Sequence, residues 1–350
     1  MKHKIICLLL FLILFSCNEK GLSPPVENKN LISKQINITD TEFEKFMIYS
    51  GFDSDNIMNG VIAILDTNKL KEVKELNTVE FNILDFLNFR IFPNLEQIKV
   101  SGKYTIIDLS ENEDLLLVEV YTRNNGFQKI DLTKNQKLET LIVSTTSNVF
   151  TKLDLSKNQN LKNLTLKLDN DVTQFELTTH KDIILSNLYL HSQYYINGID
   201  ELVRKIGLNA KSIYINSIRN QFETLDFSKM ASLKSLGLSN LSLKKLIIPQ
   251  NNAIEDLILS NLQIEEVDLS SSSKLFTVSI ASLPKIKKLN INSAKNIWAF
   301  ATLDCPKLEL ICINQEQKID SFPSYPVTGQ DGNNQHKWYR DKWTSWVICK

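Results

Sequence analysis

The chain has 350 residues, of which 43% are hydrophobic, and its 40 Lys and Arg residues equal its 40 Asp and Glu residues. This balance gives no sign of the basic surface that nucleic-acid binding requires, and the hydrophobic content is sufficient for a substantial core. Such a length ordinarily suggests two domains, but internal repeats predict one continuous repeat domain instead.

The first 17 residues predict a secretory signal that ends in a lipoprotein cleavage site. Lys2 and Lys4 precede an uninterrupted apolar run over residues 5–15, and the sequence Leu-Phe-Ser-Cys then ends at Cys17, whose sulfur would carry the lipid. An uncleaved anchor helix is the alternative, but the run is shorter than the roughly 20 residues that span a bilayer. Asn18 after the cysteine resembles Gram-negative lipoproteins that are sorted to the outer membrane. We therefore expect an exported protein that is lipid-anchored to the bacterial outer membrane. The sequence is compatible with display on the cell surface and does not determine the leaflet.

Residues 18–30 are polar and contain a Pro-Pro pair, which predicts a flexible tether between the lipid and the fold. We expect an N-terminal cap and first coil over residues 31–92, a repeat domain over 93–313 and a C-terminal cap over 314–350. An early repeat unit at Leu76 would start the first coil.

A short amphipathic helix is predicted to open the N-terminal cap. Thr39 and Glu42 have the spacing of a capping box, and Gly51 can end the helix. The apolar residues that share one face of this helix are Phe43, Phe46 and Met47.

The central part of the chain repeats one six-residue motif, in which hydrophobic residues occupy the first, fourth and sixth positions. One series of these units begins at Leu95, Leu115, Leu138, Leu161, Leu185, Ala210, Leu233, Ile254, Leu275 and Ile297. A second series interleaves with it and begins at Tyr104, Phe127, Phe150, Val172, Phe222, Leu243, Ile264, Ile286 and Leu308. Members of the first series are 20 to 25 residues apart, so each coil of the chain carries the motif once on each of two sides.

These units predict a solenoid of stacked coils. Alternate residues of a short strand point to the same side, so the fourth and sixth positions of each unit fill a core while the fifth and seventh face solvent. One coil cannot bury its own apolar surface, but stacked coils with strands about 4.8 Å apart can.

The segments "IDLTKNQKLETLIV" and "LDLSKNQNLKNLTL" resemble the repeats of bacterial surface leucine-rich-repeat proteins of the internalin-like kind. The resemblance extends over about residues 43–349, because "FPNLEQIKVSG" and "CPKLELICIN" are similar to the two ends of such proteins. It implies an α/β solenoid dominated by β structure, a right-handed superhelix of about ten to eleven coils of about 22 residues, with a short helical N-terminal cap and a C-terminal cap. Such proteins are mostly binding and adhesion modules.

The chain departs from that family in its internal asparagines. Asn112, Asn135 and Asn158 share one repeat position, but Met230 and Ser272 replace the asparagine in later coils. An asparagine ladder is therefore expected to hold only a few coils together.

One irregular coil indicates which series of units forms the concave side of the solenoid and which forms the convex side. Between Leu190 and Lys211 the second series skips a unit, and residues 199–207 show helical spacing, with acidic residues in the first turn and basic residues in the last. Helices of leucine-rich repeats lie on the convex side, so the series from Leu95 is expected to form the concave sheet. The helix is either a docking ridge or simply a helical variant of a convex segment.

The expected concave face has little charge and several aromatic rings. Its fifth positions are Lys99, Glu119, Ile142, Thr165, Tyr189, Tyr214, Gly237, Ile258, Ser279 and Ala301, and its seventh positions are Ser101, Tyr121, Ser144, Lys167, His191, Asn216, Ser239, Ser260, Ala281 and Leu303. The candidate binding site for a protein or glycan partner consists of Tyr189, His191, Tyr214 and Asn216 on neighbouring strands, with Tyr121 nearer the N-terminal end. The alternative is that tyrosine simply favours strands.

The second series has an acidic row at its fifth position. This row contains Asp108, Asp131, Asp154, Glu176, Asp226 and Asp268. Stacked carboxylates could bind calcium or act on polysaccharide, but Lys129 and Lys152 lie two residues before their aspartates and are expected to pair with them. The segment "DSDNIMNG" also lacks the residue order of a calcium loop. We expect no metal site.

Three cysteines lie near the end of a chain that is expected to be exported, where disulfides persist. Cys312 ends the last repeat, and a bridge from it to Cys349 would hold the C-terminal cap over the open core. A bridge between Cys305 and Cys312, or three free thiols, are the alternatives. Trp338, Trp343 and Trp346 would cover the last coil or present their rings to a ligand.

No catalytic arrangement emerges from the sequence. The four histidines, His3, His180, His191 and His336, lack the spacing of a zinc site or a nucleophile, and no glycine-rich phosphate loop is found. The sequence therefore predicts a non-enzymatic binding or adhesion protein of the cell envelope, without a cofactor. Two alternatives remain: a polysaccharide-acting β-helix-like enzyme, whose coils usually hold three strands rather than two, and an architectural subunit of an outer-membrane complex.

Overall fold

The structure is a computed structural model that describes residues 34–81, 83, 86–123, 126–168, 174–180, 185–192, 195–197, 203, 210–217, 223–250, 253–295, 297–314, 337–339 and 344–349. The predicted signal with Cys17 and the tether over residues 18–30 lie outside this part of the chain. So does the helix predicted at 199–207, except for Val203, which is buried. Within the described ranges, no helix is long and apolar enough to cross a membrane.

The N-terminal cap combines one antiparallel strand pair with short helices. Strands β1 (Lys34–Asn37) and β2 (Val61–Ile64) pair with each other, and helix α1 (Thr41–Tyr49) lies between them in the chain. Helix α2 (Thr67–Glu72) and a 3₁₀ helix (Phe86–Ile91) then lead into the repeats.

The N-cap of helix α1 lies one residue later than predicted. Asp40, not Thr39, caps the helix, because its carboxylate accepts hydrogen bonds from the N–H groups of Glu42 and Phe43 at 3.0 and 3.1 Å. The three apolar residues predicted for the inner face are buried. Gly51 follows the helix with a φ of +71°, a backbone conformation that glycine adopts without strain.

Twelve parallel strands form one continuous sheet, which we call the front sheet. With strands numbered in chain order, it contains β3 (Glu75–Asn77), β4 (Gln97–Gly102), β6 (Leu117–Thr122), β8 (Thr140–Thr145), β10 (Asn163–Leu168), β12 (Asn187–Ser192), β14 (Ser212–Ser217), β16 (Ser235–Ser239), β18 (Asp256–Ser260), β20 (Thr277–Ala281), β22 (Ala299–Leu303) and β24 (Lys337–Tyr339). From β4 to β22 the strands pair in register, so each repeat position lies beside its counterpart in the next coil.

Shorter strands, which we call the back strands, lie on the other side of the coils. They are β5 (Ile106–Asp108), β7 (Lys129–Asp131), β9 (Lys152–Leu155), β11 (Gln174–Thr179), β13 (Tyr195–Asn197), β15 (Thr224–Asp226), β17 (Lys245–Ile247), β19 (Glu266–Asp268), β21 (Lys288–Asn290), β23 (Leu310–Ile313) and β25 (Ser345–Ile348). Unlike the front strands, they form separate parallel groups, in the orders β5-β7, β9-β11-β13, β15-β17 and β19-β21-β23-β25.

The front sheet and the back strands enclose one hydrophobic core. Its side chains come from the inward positions of both series; Leu141, Leu153 and Leu164, for example, are at most 1% exposed. Burying a leucine side chain stabilises a fold by about 1.5–3 kcal/mol. Because each coil buries its apolar surface mainly against its two neighbours, stability is distributed along the stack. The predicted solenoid is confirmed.

The predicted asparagine ladder is present in the N-terminal coils. Asn112, Asn135 and Asn158 are buried, and the Nδ2 group of each donates two hydrogen bonds of 2.7–3.2 Å to backbone carbonyls of the preceding coil. Met230 and Ser272 are buried in later coils, as the departure from the repeat predicts. Asn314 donates in the same way to two carbonyls of the coil before it.

A disulfide joins the last repeat to the C-terminal strand. Cys312 and Cys349 are bonded across a separation of 37 residues, with their Cα atoms 5.3 Å apart, and β25 pairs with β23 beside them. This is the pairing that the sequence favours, and Cys305 is a buried cysteine outside this disulfide. Closing a loop of this length restricts the unfolded chain and stabilises the fold by about 3–4 kcal/mol in the chain-entropy model. The side chains of Trp338, Trp343 and Trp346 lie outside the described part of the structure.

Candidate functional site

The solvent side of the front sheet carries the fifth and seventh repeat positions as two straight rows, which together we call the front face. Strand pairing places Tyr189 opposite Tyr214 and His191 opposite Asn216. Four of the five candidate residues are therefore immediate neighbours, as their spacing in the sequence predicts.

The two tyrosines form a ring pair on adjacent strands. Their ring centroids are 6.2 Å apart and the rings are inclined at 38°, a geometry that contributes about 0.5–1.5 kcal/mol beyond burial. On one side of the pair, the Lys167 ammonium lies 5.5 Å from the Tyr189 ring centroid. On the other side Gly237 leaves space for the Tyr214 ring, because a Cβ atom there would lie 2.2 Å from Cδ1 of Tyr214. Tyr189 is 37% exposed, so its ring is accessible to a partner.

The polar residues of the site belong to a chain of side-chain amides. Asn216 Nδ2 lies 3.2 Å from His191 Nδ1, and Asn216 Oδ1 accepts a hydrogen bond of 2.9 Å from Asn240 Nδ2. Asn240 Oδ1 accepts in turn from Asn261 Nδ2 at 2.8 Å. Because an amide nitrogen only donates, Asn216 Nδ2 donates to His191 Nδ1 in the tautomer that carries its hydrogen on Nε2.

Sequence reasoning missed Asn240 and Asn261, although both follow directly after a seventh position. Their φ angles are +56° and +50°, in the left-handed region where asparagine is tolerated better than most residues. Ser282 and Asp304 have positive φ angles at the corresponding position of the next two coils. An asparagine at the end of successive predicted strands was the available signal.

Tyr121 does not join the other four residues. It lies on β6, three strands away from β12, which corresponds to about 14 Å at ordinary strand spacing. Its hydroxyl donates to Glu119 Oε2 at 3.0 Å, and the Lys99 ammonium lies 3.1 Å from the same carboxylate and 5.5 Å from the Tyr121 ring centroid. Partial burial and the Glu119 carboxylate raise the pKa of Tyr121. Tyr121 is thus part of a separate, charge-balanced cluster.

The acidic row on the back strands is engaged locally. Five aspartates, at positions 108, 131, 154, 226 and 268, each accept a hydrogen bond of 2.8–3.1 Å from the backbone N–H two residues later. These bonds form turns that end the back strands. Among the described residues, no group of three or more His, Cys, Asp and Glu side chains is placed to hold a metal ion.

The lysines of that row pair less regularly than predicted. Lys129 bonds Asp131 at 2.8 Å, and this pair holds the pKa of Asp131 at about 2. Lys152 instead lies 3.3 Å from Glu176, because the register of β9 and β11 places these two residues opposite each other. The predicted pair of Lys152 with Asp154 is therefore wrong.

The segment "DSDNIMNG" braces the N-terminal cap. Asp53 accepts from the Ala63 N–H at 3.0 Å, and Asp55 accepts from the Ile57 N–H at 2.9 Å and the Asn59 amide at 3.2 Å. Burial raises the pKa of Asp53. The Asp53 contact holds the loop against β2, whereas the Asp55 contacts lie within the loop.

Solved structures of leucine-rich-repeat proteins are similar to this chain. The functional domain of InlJ from Listeria monocytogenes aligns with 16% sequence identity over 89% of this chain and 72% of that domain, with a TM-score of 0.59. An internalin, InlF, from the same organism aligns with 14% identity over 78% of this chain and 95% of that one, with a TM-score of 0.39. A leucine-rich-repeat protein of Leptospira interrogans aligns with 15% identity over 59% of this chain and 69% of that one, with a TM-score of 0.27.

Neither a family model nor a curated protein sequence matches the chain. The repeat motif, the parallel front sheet and the similarity to InlJ together show that the chain has the leucine-rich-repeat fold of bacterial internalins.

Proposed function

We propose that the chain is a binding or adhesion protein, lipid-anchored to the outer membrane, that recognises a protein or glycan partner and catalyses no reaction. The contacts would come from Tyr189, His191, Tyr214 and Asn216, which we call the tyrosine–asparagine site. Tyr121 would add a contact nearer the N-terminal end of the same face.

The arrangement of the two tyrosine rings carries this proposal. Tyrosine offers a large contact area with few rotatable bonds, so little conformational entropy is lost when it binds. The Tyr214 ring is already held between Tyr189 and Gly237, which lowers that cost further. The amide chain beside the rings supplies hydrogen-bonding groups in fixed orientations.

The anchoring part of the proposal rests on the lipoprotein signal in the sequence. Replacing Cys17 with alanine is expected to abolish incorporation of labelled fatty acid and to release the protein from the membrane fraction. Unchanged labelling in this variant would contradict lipidation at Cys17.

The binding proposal is tested by crosslinking and retrieval from the native envelope, using the double variant Tyr189→Ala, Tyr214→Ala. This variant is expected to lose the partner while remaining folded, with its stability lowered only by the loss of the ring pair, about 0.5–1.5 kcal/mol. Ile106→Ala with Val149→Ala is the control, because both side chains are exposed away from the front face. Treating the retrieved partner with protease or with periodate distinguishes protein from glycan. Equal retrieval by both double variants would remove this site from consideration.

The same retrieval separates the two rival functions. A fixed set of envelope proteins that is lost only on changing the back strands would favour an architectural subunit. Hydrolysis of an acidic polysaccharide that depends on Asp131 or Asp154 would favour an enzyme. The hydrogen bonds of these two carboxylates to their own turns weigh against the enzyme.

A further inference from the structure

Among the described residues, the back strands are unpaired at three junctions where the front strands remain paired, and the junction between β17 and β19 is lined by a groove. β16 and β18 pair along five residues of the front sheet, whereas β17 and β19 of the same two coils belong to different groups. The coils meet again at both ends of this gap: the Gln263 N–H donates to the Leu243 carbonyl at 2.9 Å, and Ser271 Oγ donates to the Pro249 carbonyl at 3.4 Å. Between these contacts lies a groove of about 590 Å³, which we call the back slit.

Backbone groups of both strands face the back slit, and within the described ranges no hydrogen bond joins the two strands across it. Lys245 donates to Glu223 and Ile247 accepts from Phe227, so both residues direct their groups toward β15. Successive residues of a strand direct their groups to opposite sides, and Leu246 therefore presents its N–H and C=O to the slit.

The facing strand presents a matching edge. Glu265 accepts from the Lys287 N–H and Leu269 donates to the Asn290 carbonyl, so these alternate positions of β19 face β21. Glu266 and Asp268 consequently present their backbone groups to the slit, where the bonds that would join them to Leu246 are absent among the described residues.

The hydrophobic core is partly open along the slit. Leu246 and Ile248 occupy the fourth and sixth positions of their coil, yet both are only half-buried. Their counterparts in the next coil, Val267 and Leu269, are at most 3% exposed. The slit thus offers apolar surface at alternate positions, beside backbone groups that no strand of the described part of the chain pairs across the slit.

The rim of the slit carries charges of both signs. Lys244 pairs with Glu223 and Glu265 pairs with Lys287, and both Lys244 and Glu265 lie at the rim of the slit. The exposed side chains of Lys245, Glu266 and Lys285 line the groove. The slit therefore combines apolar surface at Leu246 and Ile248 with a charged rim. A ligand in which polar and apolar groups alternate is complementary to this combination.

We propose that the back slit binds an extended polypeptide segment of a partner protein by strand addition. The backbone of the segment would pair with Leu246 on one edge or with Glu266 and Asp268 on the other. Its alternate apolar side chains would cover Leu246 and Ile248, and its polar side chains would meet the charged rim. This site is independent of the tyrosine–asparagine site, which lies on the opposite face of the coils.

The test uses the peptide acetyl-Thr-Val-Lys-Val-Glu-Val-Thr-amide and hydrogen exchange of the full chain. The peptide is expected to slow exchange at least tenfold at Leu246 or at Glu266 and Asp268. A version that is N-methylated at alternate residues cannot pair as a strand and is expected to have no effect. Glu266→Pro removes a slit-facing N–H and should abolish protection on the β19 edge. Its matched control is Thr224→Pro, at the same repeat position two coils earlier, where the N–H faces away from β17.

Three outcomes would overturn the proposal. One is equal protection by the N-methylated peptide, which would mean that backbone pairing is not involved. Another is the absence of protection at either edge at about 1 mM peptide, where even weak specific binding is measurable. The third is protection without peptide that rises with protein concentration, since a second copy of the chain would then fill the slit.

Discussion

The ring of Tyr214 lies over Gly237, its in-register neighbour on the next strand. A Cβ atom on Gly237 would lie 2.2 Å from Cδ1 of this ring, well inside van der Waals contact. The absence of a side chain at position 237 therefore determines where the ring can lie, and with it the contact of 6.2 Å between the Tyr214 and Tyr189 ring centroids.

Replacing Gly237 with alanine is expected to displace the Tyr214 ring and to weaken partner binding. Loss of the ring pair should cost about 0.5–1.5 kcal/mol of stability, while the buried core stays intact. Urea unfolding measures the stability, and a structure of the variant locates the ring. Ser279→Ala, at the same repeat position two strands further on, is the control and should change neither quantity. An unmoved Tyr214 ring in the alanine variant would contradict this account of Gly237.

Asn240 is expected to have separable backbone and side-chain roles. In Asn240→Ala, the alanine must adopt a φ of +56°, a left-handed conformation that is strained for a residue with a Cβ atom and no polar side chain. The substitution also removes the hydrogen bonds of Asn240 to Asn216 and Asn261. We expect a loss of about 1–3 kcal/mol. Asn240→Gly breaks the same hydrogen bonds but tolerates the backbone angle, so it should recover part of that loss. Thermal unfolding compares the two variants, and equal destabilisation would show that the backbone angle is unimportant.

Asn135 is expected to be among the most costly polar residues to truncate. Its Nδ2 group donates to the carbonyls of Leu109 and Asn112 at 3.1 and 2.7 Å, and the residue is fully buried. Asn135→Ala leaves both carbonyls without these donors and should cost about 2–4 kcal/mol. The control is Asn160→Ala, which removes a single exposed bond to the Gln136 carbonyl and should cost under about 1 kcal/mol. Chemical denaturation measures both, and similar losses would contradict a stabilising ladder.

Acid titration of Asp131 should report its pair with Lys129. The hydrogen bonds from Lys129 and Thr133 lower the pKa of Asp131 from 3.8 to about 2. Because the folded-state pKa lies below the unfolded value, the pair stabilises the fold above pH 3.8, and this contribution is lost as the pH falls through about 2.

Lys129→Met is expected to raise the pKa of Asp131 toward 3.8, measured by NMR of the carboxyl carbon. Lys152→Met is the control, since Lys152 contacts Glu176 and should leave Asp131 unchanged. A pKa of Asp131 that stays near 2 without Lys129 would assign the shift to Thr133 instead.

The repeat motif by itself determined the solenoid and the two sides of each coil. A strand alternates its side chains with a period of two residues, and the coil brings the same repeat position back at nearly constant intervals. These two periods are enough to place Leu141, Leu153 and Leu164 in the core and to put Tyr189 beside Tyr214. The interior position of Asn112, Asn135 and Asn158 follows from the same counting.

The tertiary structure alone decided which of those neighbours interact. The spacing between coils and the rotamers of the side chains direct Lys152 to Glu176 and connect Asn216 to Asn240. The back slit likewise depends on how far β17 and β19 stand apart, although their sequences follow the repeat. Local pattern fixes the direction of a side chain, whereas the distance between coils depends on the packing of the whole stack.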